Sequence, residues 1–109
     1  TFTHPLATHT TANDLRKFMI GLYNSSLIKG AQRERLLHSL SVHPYRWGVP
    51  TGSKGSVQDK VGFLWDYVHD SAIVRHPKGN YIVVIMTKGA GGYGRIASIT
   101  RELEQIMYP

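Results

Sequence analysis

The chain contains no cysteine, which excludes thiol chemistry, cysteine-bound zinc and structural disulfides while leaving the redox compartment open. Acidic residues are scarce: seven Asp and Glu stand against thirteen Lys and Arg, a formal net charge of +6. That balance favours encounters with anionic polymers. The cations are nevertheless scattered from Arg16 to Arg101 rather than run together, the pattern of a solvated surface. No apolar run approaches the ~20 residues that a membrane-spanning helix needs. Thr1-Phe2-Thr3-His4-Pro5 has neither the basic start nor the apolar stretch of a signal peptide. What the chain does have is 109 residues, 41% of them hydrophobic, the composition of one globular domain with a modest core. It begins at Thr1 rather than Met, as a mature or excised piece of a longer protein would.

Thr11 followed by Asp14 fits a helix cap, and Leu15, Phe18, Met19 and Leu22 recur at helical spacing, so a helix is expected over about 11–24. A second, about 31–40, places Leu36, Leu37 and Leu40 on one side and Arg33, Glu34 and Arg35 outward. Val42 to Gly55, rich in Pro and Gly, reads as loop pinned by Tyr45 and Trp47. Three strand-like runs follow, Ser56–Leu64, Val68–Arg75 and Tyr81–Thr87, with connections too short for a parallel crossover. The fold class is therefore α+β: a three-stranded antiparallel meander preceded by two helices and covered by a long C-terminal helix, about 92–108. Ile82 to Met86 is apolar at every position and is expected to be the central strand. Ile96, Ile99, Leu103, Ile106 and Met107 form the stripe by which the last helix covers the sheet.

Three local patterns suggest chemistry that their context does not support. Gly89-Ala90-Gly91-Gly92-Tyr93-Gly94 matches a dinucleotide fingerprint, yet the second parallel strand of such a unit has no room before Pro109, and a strand-to-helix turn explains the glycines. Ser26-Leu27-Ile28-Lys29 has the nucleophile spacing Ser-x-x-Lys, but it follows a helix end where nothing desolvates the lysine. The pairs His4/His9, His38/His43 and His69/His76 lack Cys and helical i, i+4 spacing, and His69 beside Asp70 reads as structural. No metal and no cofactor is expected.

Lys60-Val61-Gly62-Phe63-Leu64, then His69-Asp70-Ser71-Ala72-Ile73-Val74, Pro77-Lys78-Gly79-Asn80-Tyr81-Ile82-Val83-Val84 and Met86-Thr87, resemble the carboxyl-terminal part of class A β-lactamase-like, penicillin-recognising serine hydrolases. The segments Thr10 to Leu15 and Leu27 to Leu37 are similar to that family's preceding helix pair. The resemblance implies that Lys60 supplies positive charge toward substrate and catalytic serine. It implies that Gly62 permits close substrate approach, and that the backbone N–H of Phe63 is one donor of the oxyanion hole. Val61 departs from the family's Thr or Ser, so a hydroxyl that binds a substrate carboxylate is lost. On the strand, Val57, Val61 and Phe63 share one face, and Gln58, Lys60, Gly62 and Leu64 the other, with Gly62 leaving that face open for a ligand.

The family's nucleophilic Ser-x-x-Lys, its Ser-x-Asn loop and its general-base carboxylate all precede the segment that corresponds to Thr1, and Thr11-Ala12-Asn13 is explained by capping. The expectation is a carboxyl-terminal fragment over 1–109 that is catalytically silent alone, partnered by the amino-terminal part of the same domain and prone to self-association. The substrates implied for the parent are β-lactams or cell-wall peptide amides, and its location is extracellular or at the cell envelope. Two other readings stand beside it: a basic module that binds an anionic polymer, and a pseudoenzyme domain without chemistry.

Overall fold

A computed structural model describes residues 10–109; residues 1–9, and with them the His4/His9 pair, lie outside the described residues. Helix α1, Ala12–Tyr23, starts where the Thr11 hydroxyl accepts the Asp14 N–H at 3.1 Å. Met19 and Leu22 are fully buried, whereas Phe18 is exposed. Helix α2, Gly30–Val42, buries Leu37 and Leu40. Arg33 does not point outward as its sequence position suggested. Its guanidinium returns to α1, where Nε donates to the Leu22 carbonyl at 2.9 Å and Nη2 to that of Tyr23 at 2.8 Å. The helix-end carbonyls lack intrahelical donors, and a cation suits the negative end of the dipole.

The stretch expected to be loop contains a further short helix, α3, Val49–Gly52, with Pro50 in its first turn. Strands β1, Ser56–Leu64, β2, Tyr67–His76, and β3, Gly79–Lys88, form an antiparallel meander in the order β1-β2-β3. The register pairs Lys60 with Ser71, Gly62 with His69 and Val61 with Asp70, and on the other side Ile73 with Ile82. The central strand is thus β2, not the run Ile82 to Met86, which lies in the outer strand β3. Asp70, Ser71, Ala72, Ile73 and Val74 are buried in succession, as a strand covered on both faces and flanked on both sides requires. The run Ile82 to Met86 of β3 is apolar for another reason: helices cover both faces of the sheet. One face holds Met19, Leu22, Leu37, Leu40 and Ile73, with Ile82 packed against them. The opposite face holds Val49, Val57, Ala72, Val74 and Ile96, with Tyr81, Val83 and Ile85 against them.

Helix α4, Gly92–Met107, opens behind Gly91, whose φ of 77° is left-handed. A Cβ on Gly92 would come within 2.7 Å of the Val68 Cβ, so the absence of a side chain lets the first turn of α4 seat directly on β2. The buried face of α4 is Ile96, Ala97, Thr100 and Glu104 rather than the expected apolar stripe; Ile99 and Met107 are exposed, and Ile106 is 77% exposed. A buried carboxylate rotates the helix. Glu104 accepts from the Ser53 and Tyr81 hydroxyls and from the Lys54 N–H at 2.9 Å, and His76 Nε2 stands 3.4 Å away. That set of donors offsets the cost of burying the charge.

Candidate functional site

β1 is an outer strand, and its carboxyl half carries the residues singled out in the sequence. Alternation along the pleat puts Val57, Asp59 and Val61 inward and leaves Lys60 exposed. The Lys60 ammonium donates to the Val61 carbonyl at 2.9 Å. Val61 is buried on the opposite face. Phe63 is 57% exposed and lays its ring against Tyr45, with centroids 5.6 Å apart. Gly62 differs from expectation: its face is not open. A Cβ there would fall inside the imidazole of His69, its register partner, so glycine is required by a neighbouring side chain of the same sheet. His69 lies next to Lys60 on that face, and burial lowers its pKa, which favours a neutral ring.

Behind this strand end is a cluster that the sequence reading missed. The link from α2 to α3 crosses the edge of β1 and is clamped by charged groups. His43 Nε2 meets Asp59 Oδ1 at 2.7 Å, and Arg46 Nη1 donates to the same oxygen at 3.0 Å. Arg46 Nη2 donates to the Val57 carbonyl at 2.7 Å, which satisfies an acceptor on the strand's outer edge. The Tyr45 N–H donates to His43 Nδ1 at 3.2 Å, so Nε2 carries the proton toward Asp59. Tyr45 and Trp47, expected to pin this link, lie on its surface instead. Trp47 is 55% exposed and packs edge-on against Tyr45 and Tyr93.

Asp59 and Asp70 are both fully buried, side by side on adjacent strands. Burial pushes the Asp70 carboxyl up to about 8, reinforced by the neighbouring Asp59 carboxyl and its charge. Burial raises Asp59 as well, against the opposing pull of the neighbouring Asp70 carboxyl and the Arg46 charge. Asp59 Oδ2 and Asp70 Oδ1 are buried without a hydrogen-bond partner among the described residues, and the two carboxyls titrate as a pair, with Asp59 held by His43 and Arg46. The other Asp70 oxygen accepts the Val49 N–H at 3.0 Å, which ties the start of α3 to the sheet. A signal for this pair was present, since Asp59 falls in phase with Val57 and Val61, and Asp70 with Val68 and Ala72. Adjacent strand residues face opposite ways, so His69 and Asp70 form no dyad.

The remaining motifs do not converge on the strand end. Ser26 lies in the turn after α1, where its N–H donates to Asn24 Oδ1 at 3.0 Å, and Lys29 is the N-cap of α2; the two share no helix. His69 and His76 face opposite sides of β2. Among the described residues no group of three or more His, Asp or Glu is arranged to hold a metal ion.

The fold is shared with solved structures. The structure of PBP-A superimposes with a TM-score of 0.85 at 22% identity, over 97% of this chain and 44% of that one. A PBP-A mutant in an acyl-enzyme complex with penicillin G gives 0.82 at 23% identity, over 90% and 40%. A β-lactamase from Sphaerobacter thermophilus gives 0.83 at 19% identity, over 98% and 45%. The chain thus spans less than half the length of these structures. A search of curated proteins gave no match. The model of the beta-lactamase enzyme family matches residues 3–108, nearly the whole sequence. With that match over nearly its whole length and the fold of these structures, the chain belongs to the beta-lactamase enzyme family.

Proposed function

We propose that this chain is the carboxyl-terminal portion of a β-lactamase-like serine hydrolase acting on β-lactams or peptidoglycan-peptide amides. In that reading it supplies the Lys60 to Phe63 strand edge and is catalytically silent alone. Lys60 attracts the substrate carboxylate, the Phe63 N–H serves the oxyanion hole, and the Val61 and Gly62 backbone lines the substrate's path. Val61 brings the strand-forming shape without the hydroxyl, so carboxylate binding rests on Lys60 more heavily than in relatives with Thr or Ser. The partner is the amino-terminal part of the domain with the nucleophile, and the location of the whole is extracellular or at the cell envelope. Among the described residues no helix is long and apolar enough to cross a membrane.

The observation that carries this reading is the exposed Lys60 on an outer strand, in a segment that resembles the family's strand motif, inside a family match over residues 3–108. Mass spectrometry after incubation with penicillin tests it. The 109-residue chain is expected to acquire no penicilloyl adduct and to leave a chromogenic cephalosporin intact, whereas the protein with its upstream half is expected to acquire one. A stoichiometric adduct on Ser26 of the isolated chain would overturn the assignment of the nucleophile to the other half. In the acylating protein, Lys60→Ala is expected to slow acylation at nearly unchanged melting temperature, because an exposed lysine adds little to stability.

A further inference from the structure

At the opposite end of the sheet from Phe63, the Ser53-Lys54-Gly55 link, the β2–β3 turn and the last turns of α4 enclose a cavity of about 120 Å³. Lys54, Lys78 and Arg101 line it, with His76, Tyr108 and Glu104. Among the described residues no side-chain carboxylate pairs with Lys54, Lys78 or Arg101; the side-chain ion pairs among them are Arg33–Glu34, His43–Asp59, Arg46–Asp59 and His76–Glu104. Three cationic residues therefore line one concavity without a side-chain counter-charge of their own. The single acid in the wall, Glu104, is already engaged by the Ser53 and Tyr81 hydroxyls, the Lys54 N–H and His76. Leaving His76 aside, the side chains of the wall hold a formal charge of +2.

The walls are also fixed. The His76 ring stacks on Tyr108 with centroids 4.3 Å apart and planes 23° from parallel, and its Nδ1 accepts the Lys78 N–H at 3.0 Å. The Tyr108 hydroxyl donates to the Gly79 carbonyl at 2.8 Å, so the turn that carries Lys78 is tied to the end of α4. The Lys78 ammonium gives one hydrogen to the Pro109 oxygen at 3.1 Å, a carboxylate oxygen in the 109-residue chain, and keeps two others.

From this geometry we propose that the cavity binds a phosphate dianion, free or as a small monoester, between Lys54, Lys78 and Arg101. An anion complements the net positive wall, and phosphate oxygens suit the planar donor fork of Arg101. The site lies on the other face of the sheet from Lys60, so it is independent of the hydrolase reading.

The test is a titration of the 109-residue chain with inorganic phosphate at constant ionic strength, followed by amide and arginine Nε resonances. Saturable shifts are expected at Lys54, Lys78 and Arg101, with chloride producing none. Arg101→Ala and Lys54→Ala should each weaken binding at least fivefold, and Lys17→Ala, on α1, should leave it unchanged. A parallel titration with glycerol 3-phosphate separates the two sources. Saturation by both supports a site for monoesters, and saturation by inorganic phosphate alone supports one for the free ion. Shifts that never saturate, an equal response to chloride, or wild-type affinity in both cavity variants would overturn the proposal.

Discussion

Two residues at the strand end illustrate how a side chain's role follows from its immediate neighbour. Gly62 is spared a Cβ because the His69 ring occupies that volume. Gly62→Ala is expected to cost about 1–3 kcal/mol through overpacking, measured by urea unfolding. The loss should largely vanish when His69→Ala is added, and a loss that persists in the double variant would show that the constraint lies elsewhere. Asp70 gives a pH signature. Its folded carboxyl titrates near 8 against an ordinary 3.8, so the folded state holds a proton that the unfolded state has released. The stability from this group is full below about 4, declines as pH rises, and is gone above about 8. Asp70→Asn keeps an acceptor for the Val49 N–H without that liability. A flatter melting profile between pH 5 and 8.5 is expected, checked by calorimetry.

At the scale of elements, Glu104 decides how α4 lies on the sheet. Burial alone raises its pKa, but hydrogen bonds from Lys54, Ser53 and Tyr81, with His76 nearby, bring it below the ordinary value of 4.5. The sign is opposite to that of Asp70: this stabilisation is present above about 4.5 and is lost as pH falls through the lower folded value. Glu104→Gln is expected to destabilise by about 3 kcal/mol at neutral pH and to lose part of the acid-unfolding transition seen in the wild type, followed by circular dichroism. A variant as stable as wild type would remove the anchoring role. The same residue explains why the face of α4 was misread in the sequence. Ile99 and Ile106 satisfy helical spacing as well as Ile96 does, and hydrophobicity cannot foresee that donors from the Ser53 link and β3 will gather around an acid. Strand existence, pairing and the strand end at Lys60 were legible because they depend on local alternation and short turns. The Asp59, Asp70, His43 and Arg46 cluster was not, because it joins separate segments of the chain through burial.

For the whole molecule, helices shield both faces of the sheet while its outer edges are treated unequally. Arg46 covers part of β1, but among the described residues no strand pairs with the outer edge of β3. Exposed Ile99, Ile106 and Met107 on α4, with Phe18 and Leu27 beside α1, add apolar surface. The isolated chain is therefore expected to self-associate in light scattering as concentration rises, and addition of the upstream half should suppress this. A monodisperse monomer at high concentration would contradict the reading as part of a larger domain. The meander has a kinetic consequence too. Each strand pairs with its neighbour in sequence, through links of Trp65-Asp66 and Pro77-Lys78, so closing each hairpin costs little loop entropy. The sheet can zip from its two turns before any helix docks, which places the slow event of folding at helix docking rather than at strand pairing.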